Sequence, residues 1–343
     1  MTMVQKRLMS LGFLLVLGAG VAGLVWWQEQ QGSAEDAAKE SAQRLFTHDT
    51  TDAVVSLELT TPAGTFKLRH VGAGETGWEL MEPVATLAEA TTVDGMVQAA
   101  MELKRTSRVG GGGPTDDPRH SVPAVTDLTL FGLEPPRYTL TLVDKEGVRE
   151  SLRVGKKSGF SGALYVKREG SADVALVDGG FEYQVDKDLY KLREKRAAVF
   201  DIGQVKSVAV APQKGPAYRI ERQGSDFVLT APEAVPADEG QVNGILSALA
   251  GLRAKVFVAE AADPGVLRHT GLETPRFRVE VALQDPNAAP IVLRLGEVQV
   301  DRETHSFAMQ EGVHPVVELG SDWALKKLGT DPKELRDMHV LRL

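Results

Sequence analysis

The chain has 343 residues, 43% hydrophobic and 25% charged, with a formal net charge of −8 and no cysteine. This is the composition of a globular protein, neither disordered nor fibrous, and the length suits about two domains of roughly 150 residues each. The acidic balance speaks against nucleic acid as a partner, because phosphate binding needs a basic face. The lack of cysteine excludes disulfides, a thiol nucleophile and zinc–thiolate sites.

Leu8 to Trp27 is uncharged, and Ser10 is its only polar side chain. A helix of about 20 apolar residues crosses a bilayer core of about 30 Å. Lys6 and Arg7 precede the run, and Glu29, Glu35 and Asp36 follow it. The positive end stays in the cytoplasm. The expectation is a cytoplasmic N-terminus at 1–7, a single inner-membrane anchor at 8–27, and the bulk of the chain in the periplasm. The competing reading is a cleaved signal peptide, with Gly20-Val21-Ala22 as a poor cleavage site. Against cleavage, the apolar run continues into Trp26 and Trp27, which suit the outer interface. No cysteine follows to carry a lipid anchor.

Residues 28–52 read as a polar stalk. Within it, Ser33 to Leu45 has the composition of a short helix that Ser33 can cap, with Asp36 at the capping-box spacing. His48-Asp49-Thr50-Thr51-Asp52 then breaks it.

The first folded repeat is expected over 53–200. Val54–Leu59 and Thr65–Arg69 flank the Pro-Gly turn Thr61-Pro62-Ala63-Gly64, as two strands would. A third strand carries Trp78 and Leu80. Val93, Met96, Val97 and Ala100 follow a helical spacing. Gly110-Gly111-Gly112-Gly113-Pro114-Thr115-Asp116-Asp117 looks like a loop insertion. Four further strands follow, Tyr138–Val143, Glu150–Val154, Ala163–Lys167 and Val174–Val177, and predict an antiparallel sheet. Phe181–Arg196 reads as one charged closing helix.

The second repeat, 201–343, takes the same elements in the same order. A hairpin spans Val205–Val210 and Tyr218–Arg222, and a strand lies at Asp226–Leu229. Asp238 caps a helix carrying Val242, Ile245, Leu246 and Leu249. The sheet resumes over Arg276–Leu283, Ile291–Leu295, Ser306–Gln310 and Val316–Leu319, and Trp323–Leu328 and Pro332–Leu341 finish the chain. The predicted class is α+β: a transmembrane helix, then two tandem β-rich repeats, each a mainly antiparallel sheet with one main helix.

The duplication rests on ordered matches. Trp78–Pro83 aligns with Phe227–Pro232 at an offset of 149 (227 − 78), and Val93–Val97 aligns with Val242–Leu246 at the same offset. Gly132-Leu133-Glu134-Pro135-Pro136-Arg137 returns as Gly271-Leu272-Glu273-Thr274-Pro275-Arg276, and each copy feeds an alternating strand opened by Tyr138 or Phe277. Leu152-Arg153-Val154-Gly155 matches Leu293-Arg294-Leu295-Gly296, and Leu192-Arg193-Glu194 matches Leu335-Arg336-Asp337.

No residue pattern calls for a cofactor or a metal. The glycine run lacks the Gly-Lys-Ser/Thr ending of a phosphate loop. Ser158-Gly159-Phe160-Ser161-Gly162 misses the nucleophile-elbow spacing and reads as a hairpin turn. The histidines 48, 70, 120, 269, 305, 314 and 339 show no helical metal pair, although His305 and His314 could meet across a hairpin. The repeated motif, Gly132, Leu133, Pro136 and Arg137 with Gly271, Leu272, Pro275 and Arg276, is assigned a structural role. In that reading Arg137 and Arg276 clamp Glu134 and Glu273, or a carbonyl, within their own turns; the competing reading is that each holds an anionic ligand by its guanidinium fork.

These motifs together with the N-terminal anchor resemble an uncharacterised bacterial envelope family with a repeated domain of unknown function. Its members are often encoded beside gliding-motility-type ABC transporter components. The resemblance implies an accessory role near a membrane transporter and supplies no catalytic residues. With no catalytic spacing in the chain, the leading expectation is a non-enzymatic binding or scaffolding module with a protein partner, an ABC-type transporter or another envelope assembly. The alternatives are an envelope hydrolase, which needs a cleft with paired acids or a Ser–His couple, and a self-assembling structural repeat.

Overall fold

A computed structural model describes residues 43–48, 50–71, 77–110 and 125–338. The apolar run at 8–27, residues 33–42 of the helix expected over Ser33–Leu45, and the glycine-rich insertion from 111 onward lie outside them. Among the described residues no helix is long and apolar enough to cross a membrane.

The chain divides into two compact units between Glu194 and Lys195. In unit 1 the strands are β1 (Val54–Thr61), β2 (Gly64–His70), β3 (Trp78–Glu82), β4 (Thr86–Leu87), β5 (Ser107–Gly110), β6 (Tyr138–Asp144), β7 (Arg149–Lys157), β8 (Leu164–Arg168) and β9 (Val174–Val177). They form one nine-stranded antiparallel sheet in the order β4-β3-β2-β1-β6-β7-β8-β9-β5.

Unit 2 repeats the arrangement with β10 (Val205–Pro212), β11 (Tyr218–Gln223), β12 (Asp226–Ala231), β13 (Val235–Pro236), β14 (Ala254–Ala259), β15 (Phe277–Leu283), β16 (Ile291–Val300), β17 (Glu303–Gln310) and β18 (Val313–Leu319). Its order, β13-β12-β11-β10-β15-β16-β17-β18-β14, is the first order with every label raised by nine. The duplication seen in the motifs is therefore a duplication of topology.

Each sheet packs against one main helix, Ala90–Met101 in unit 1 and Glu239–Ala250 in unit 2. Val93, Met96, Val97 and Ala100 are buried in the first, and Val242, Ile245, Leu246 and Leu249 in the second. This is the apolar stripe that the spacing dictates. Asp238 caps the second helix by accepting from the Gln241 amide at 2.8 Å. The rings of Tyr138 and Phe277 are buried in the core of their own unit. The indole of Trp78 is buried too, and donates to Asp94 at 2.7 Å. At the matched positions unit 2 has Phe227 and Asn243, so donor and acceptor differ together.

Three expectations are corrected. The single helix over 181–196 is two short ones, Phe181–Val185 and Leu189–Leu192. Asp188 starts the second by accepting from the Lys191 amide at 2.7 Å, and the chain then extends so that Glu194 donates to Leu87 at 2.9 Å. Each sheet gains two strands that the pattern had not shown: β4 pairs with β3 and β5 with β9 in unit 1, and β13 pairs with β12 and β14 with β18 in unit 2. Gly110, expected to open the loop insertion, ends β5. Finally, Leu45 and Phe46 are buried in the core of unit 1. The folded unit thus begins upstream of Ala53, inside the stretch read as stalk.

Candidate functional site

The repeated turn is a packing device. Gly132 closes the short 3-10 turn Thr129–Phe131 at φ 65°, and Gly271 follows the helix Pro264–His269 at φ 67°. Glycine occupies this left-handed region without a Cβ penalty. The leucine that follows each glycine is fully buried, and Leu272 packs with Met309 and Val316. The turn lies against the adjacent strand so closely that a Cβ on Gly155 would sit 2.1 Å from the Phe131 carbonyl oxygen. On Gly296 it would sit 2.4 Å from that of Thr270. This contact explains why both the turn and the downstream Leu-Arg-Val/Leu-Gly recur. Pro136 and Pro275 are half-buried within it.

The arginines of the motif do not pair inside their own turns. Arg137 donates to Glu182, on the helix Phe181–Val185, and Arg276 pairs with Glu297 on β16. Glu134 and Glu273 are exposed. Each guanidinium also stands over the ring that follows it, 5.2 Å from the Tyr138 centroid and 5.5 Å from that of Phe277. Glu182 takes a second cation, Lys157 Nζ at 2.7 Å. The Lys157 hydrogen bond, against the opposing effect of burial and with the Arg137 charge beside it, holds this carboxyl below its ordinary range. Burial pushes the Tyr138 phenol up to about 12. Both arginines are thus occupied by protein carboxylates, and the motif serves the fold.

The polar cluster that the fold does not require lies at the other end of β7. Gln43–His48 runs as a strap beside the residues after the main helix: Leu45 N donates to Leu103 O at 3.1 Å and Arg105 N to Gln43 O at 2.9 Å. Unit 2 has the same strap at Lys195–Phe200, where Ala197 N donates to Leu252 O and Ala254 N to Lys195 O. The bridges Arg44↔Lys104 and Arg196↔Arg253 set the correspondence, which places His48 where unit 2 has Phe200. Strand register supplies the rest. Val54 faces Asp144 as Val205 faces Leu283, and Leu142 faces Glu150 as Val281 faces Ile291.

Unit 2 therefore fills this layer with Phe200 and Ile291, buried in its core, and Leu283, half-buried against it. Unit 1 fills it with His48, Asp144 and Glu150. His48 Nδ1 lies 3.5 Å from Asp144 Oδ2, and Nε2 lies 3.5 Å from Glu150 Oε2. Glu150 also accepts from the Thr47 amide at 2.8 Å, from the Thr47 hydroxyl, and from Arg168 at 2.6 Å. Arg168 stands where unit 2 has Gln310. Beside the cluster opens a cleft of about 410 Å³ lined by Thr47, His48, Asp52, Asp144, Lys145 and Glu146 among others. Its carboxylates outnumber its one lysine, so the cleft favours a cationic group.

Sequence alone does not bring this cluster together, because its residues are far apart in the chain. A signal was present nonetheless. The offsets of the matched blocks set Asp144 against Leu283 and Glu150 against Ile291, two acids where the other copy is apolar. The turn over Ser158–Gly162 joins β7 to β8 as expected, with Ser158 N donating to Ala163 O at 2.7 Å. His305 Nδ1 lies 3.1 Å from Glu318 Oε1 across the β17–β18 pair, and His269 Nδ1 lies 2.8 Å from Gly265 O. Among the described residues no group of three or more His, Asp and Glu is arranged to hold a metal ion.

A family profile described as a domain of unknown function (DUF4340) matches residues 78–226 and again residues 228–343. No significant match to the chain is found among curated proteins or among solved structures.

Proposed function

The chain belongs to the DUF4340 family, a domain of unknown function, and from that premise we propose that it is a membrane-tethered binding or scaffolding module of the bacterial envelope. Residues 8–27 anchor it in the inner membrane, with Lys6 and Arg7 in the cytoplasm and the two units in the periplasm. It serves a partner protein, as an accessory of an ABC-type transporter or of another envelope assembly. One observation carries the binding role. The layer that is apolar in unit 2 is, in unit 1, a His48–Asp144–Glu150 cluster beside an acidic cleft. A duplicated fold that replaces packing with buried charge in one copy has given up stability there, as binding sites commonly do.

The test is isolation of the intact chain from membranes by an affinity tag. Parent protein is compared with an Asp52→Asn, Glu146→Gln variant, which leaves the buried cluster alone and neutralises the cleft rim. The reading predicts a membrane or periplasmic protein that accompanies the parent and is lost with the variant. A chain that travels alone, or with the same companions in both forms, contradicts it.

The paired acids also favour a second reading, an envelope hydrolase. Both acids are already engaged, Glu150 by Thr47 and Arg168, and Asp144 by the Val148 amide at 2.8 Å. A catalytic pair would have to release those donors to act on a substrate, which ranks this reading second.

A further inference from the structure

The strap that opens unit 1 is fastened twice, and by different physics. Leu45 and Phe46 are buried in the apolar core. Immediately after them the fastening is electrostatic: Thr47 donates its amide and its hydroxyl to Glu150, and His48 sits between Asp144 and Glu150. These side chains are largely withdrawn from water, at 4% exposure for His48, 5% for Glu150 and 12% for Asp144. His48 Nε2 is buried and has no hydrogen-bond partner, so its company there is the Glu150 carboxylate at 3.5 Å. The strap of unit 2, with the same backbone pairing, ends instead in the apolar layer Phe200, Leu283 and Ile291.

We infer that the His48–Asp144–Glu150 layer is an acid-released clasp on the Thr47–His48 end of the strap. A buried set of ions holds only while its charges balance. The charged groups around His48 are Asp144 at the end of β6, Lys145 and Glu146 in the turn after it, Glu150 on β7, Arg168 on β8 acting through Glu150, and Asp52 in the 3-10 turn Thr51–Ala53. Carboxylates as a class are neutralised in acid. With Asp144 and Glu150 uncharged, the Arg168 guanidinium faces a neutral hub, and Thr47 loses its charged acceptor. Losing one partner of a buried pair weakens the fastening sharply, whereas protons leave the apolar contacts of Leu45 and Phe46 untouched. The Thr47–His48 end lifts with Phe46 as its pivot, and the carboxyl groups of Asp144 and Glu150 open to the cleft. The equivalent end in unit 2 has no ionisable layer and stays closed. This inference concerns unit 1 alone and holds wherever in the cell the protein resides.

The test is residue-resolved amide exchange on the full chain in detergent, at pH 7 and at about pH 3, below the ordinary carboxylate range, corrected for intrinsic rates. The Thr47 amide, bonded to Glu150, is expected to lose about tenfold or more of its protection in acid. The Leu45 amide, bonded to Leu103, and the Ala197 amide, bonded to Leu252, are expected to keep theirs. In Glu150→Gln, which keeps an acceptor without a charge, the Thr47 amide should be weakly protected at pH 7 and change little on acidification. If that variant loses protection at Leu45, His48→Gln replaces it, with a smaller acid response than the parent. Equal protection of Thr47 at both pH values in the parent would overturn the clasp. So would a loss shared equally by Leu45 and Ala197, or an undiminished acid response in the variants.

Discussion

Gly155 lies directly beneath the Phe131 carbonyl, where a Cβ would come within 2.1 Å of the oxygen. Gly296 stands in the same relation to Thr270, at 2.4 Å. Backbone oxygens cannot swing aside as side-chain ends can, so alanine at either position must push the Gly-Leu turn off its strand. Gly155→Ala and Gly296→Ala should each cost at least about 1–3 kcal/mol, the usual range for overpacking. Gly95, in the main helix of unit 1, has nothing within 4 Å of its Cβ position. There alanine should stabilise by about 0.5–1 kcal/mol through backbone entropy and helix propensity. Denaturant titration of the three variants checks the contrast, and the same sign at all three would contradict it.

Glu182 gathers Arg137 and Lys157, and its carboxyl titrates below the ordinary range, first because of the Lys157 hydrogen bond. A depressed carboxyl adds stability that is fully present above its unfolded pKa and is lost as pH falls through the folded one. Glu182→Gln should therefore cost roughly 1 kcal/mol at neutral pH, given partners that are half in solvent. The cost should shrink as the solution is acidified. Stability of parent and variant across pH 3 to 7, about the carboxylate range, decides this. A gap that widens toward acid would contradict the sign.

Tyr138 and Phe277 occupy matched positions, each buried in the core of its own unit. Truncating a buried aromatic costs about 3–5 kcal/mol. Tyr138→Ala should speed amide exchange at Leu140 and Leu142, and Phe277→Ala at Val279 and Val281. Unchanged exchange in the strand that carries the substitution would contradict the assignment of these rings to the core.

The strands, both main helices and the duplication were legible because period-two and helical spacings persist over enough residues to stand out, as from Tyr138 to Leu142 and from Val93 to Ala100. Leu45-Phe46 is too short an apolar pair to show any period, so in sequence the strap is indistinguishable from stalk. The strand Ala254–Ala259 leaves no clear alternation in sequence because it lies at the edge of its sheet, largely exposed. Glu182 could not be named as the partner of Arg137 from sequence, since a helix folding back over the sheet brings them together. The clasp depends on β6–β7 and β7–β8 register gathering residues 144, 150 and 168, and on the strap pairing that delivers residue 48.

The binding-module reading expects no turnover. Repurified protein should hydrolyse no ester, phosphoester, peptide or glycoside substrate. Activity that survives repurification and is abolished by Asp144→Asn or Glu150→Gln would favour the hydrolase reading instead.

The most direct measurement concerns the tether, because a periplasmic module held at the membrane requires residues 8–27 to stay in place. A reporter that works only in the periplasm is fused after Leu343, and the cells are fractionated with an alkaline wash. The account predicts an active reporter that remains in the membrane pellet at the mass of the full chain. An inactive reporter, or an active one released in soluble form at a mass lacking the apolar run, would contradict it.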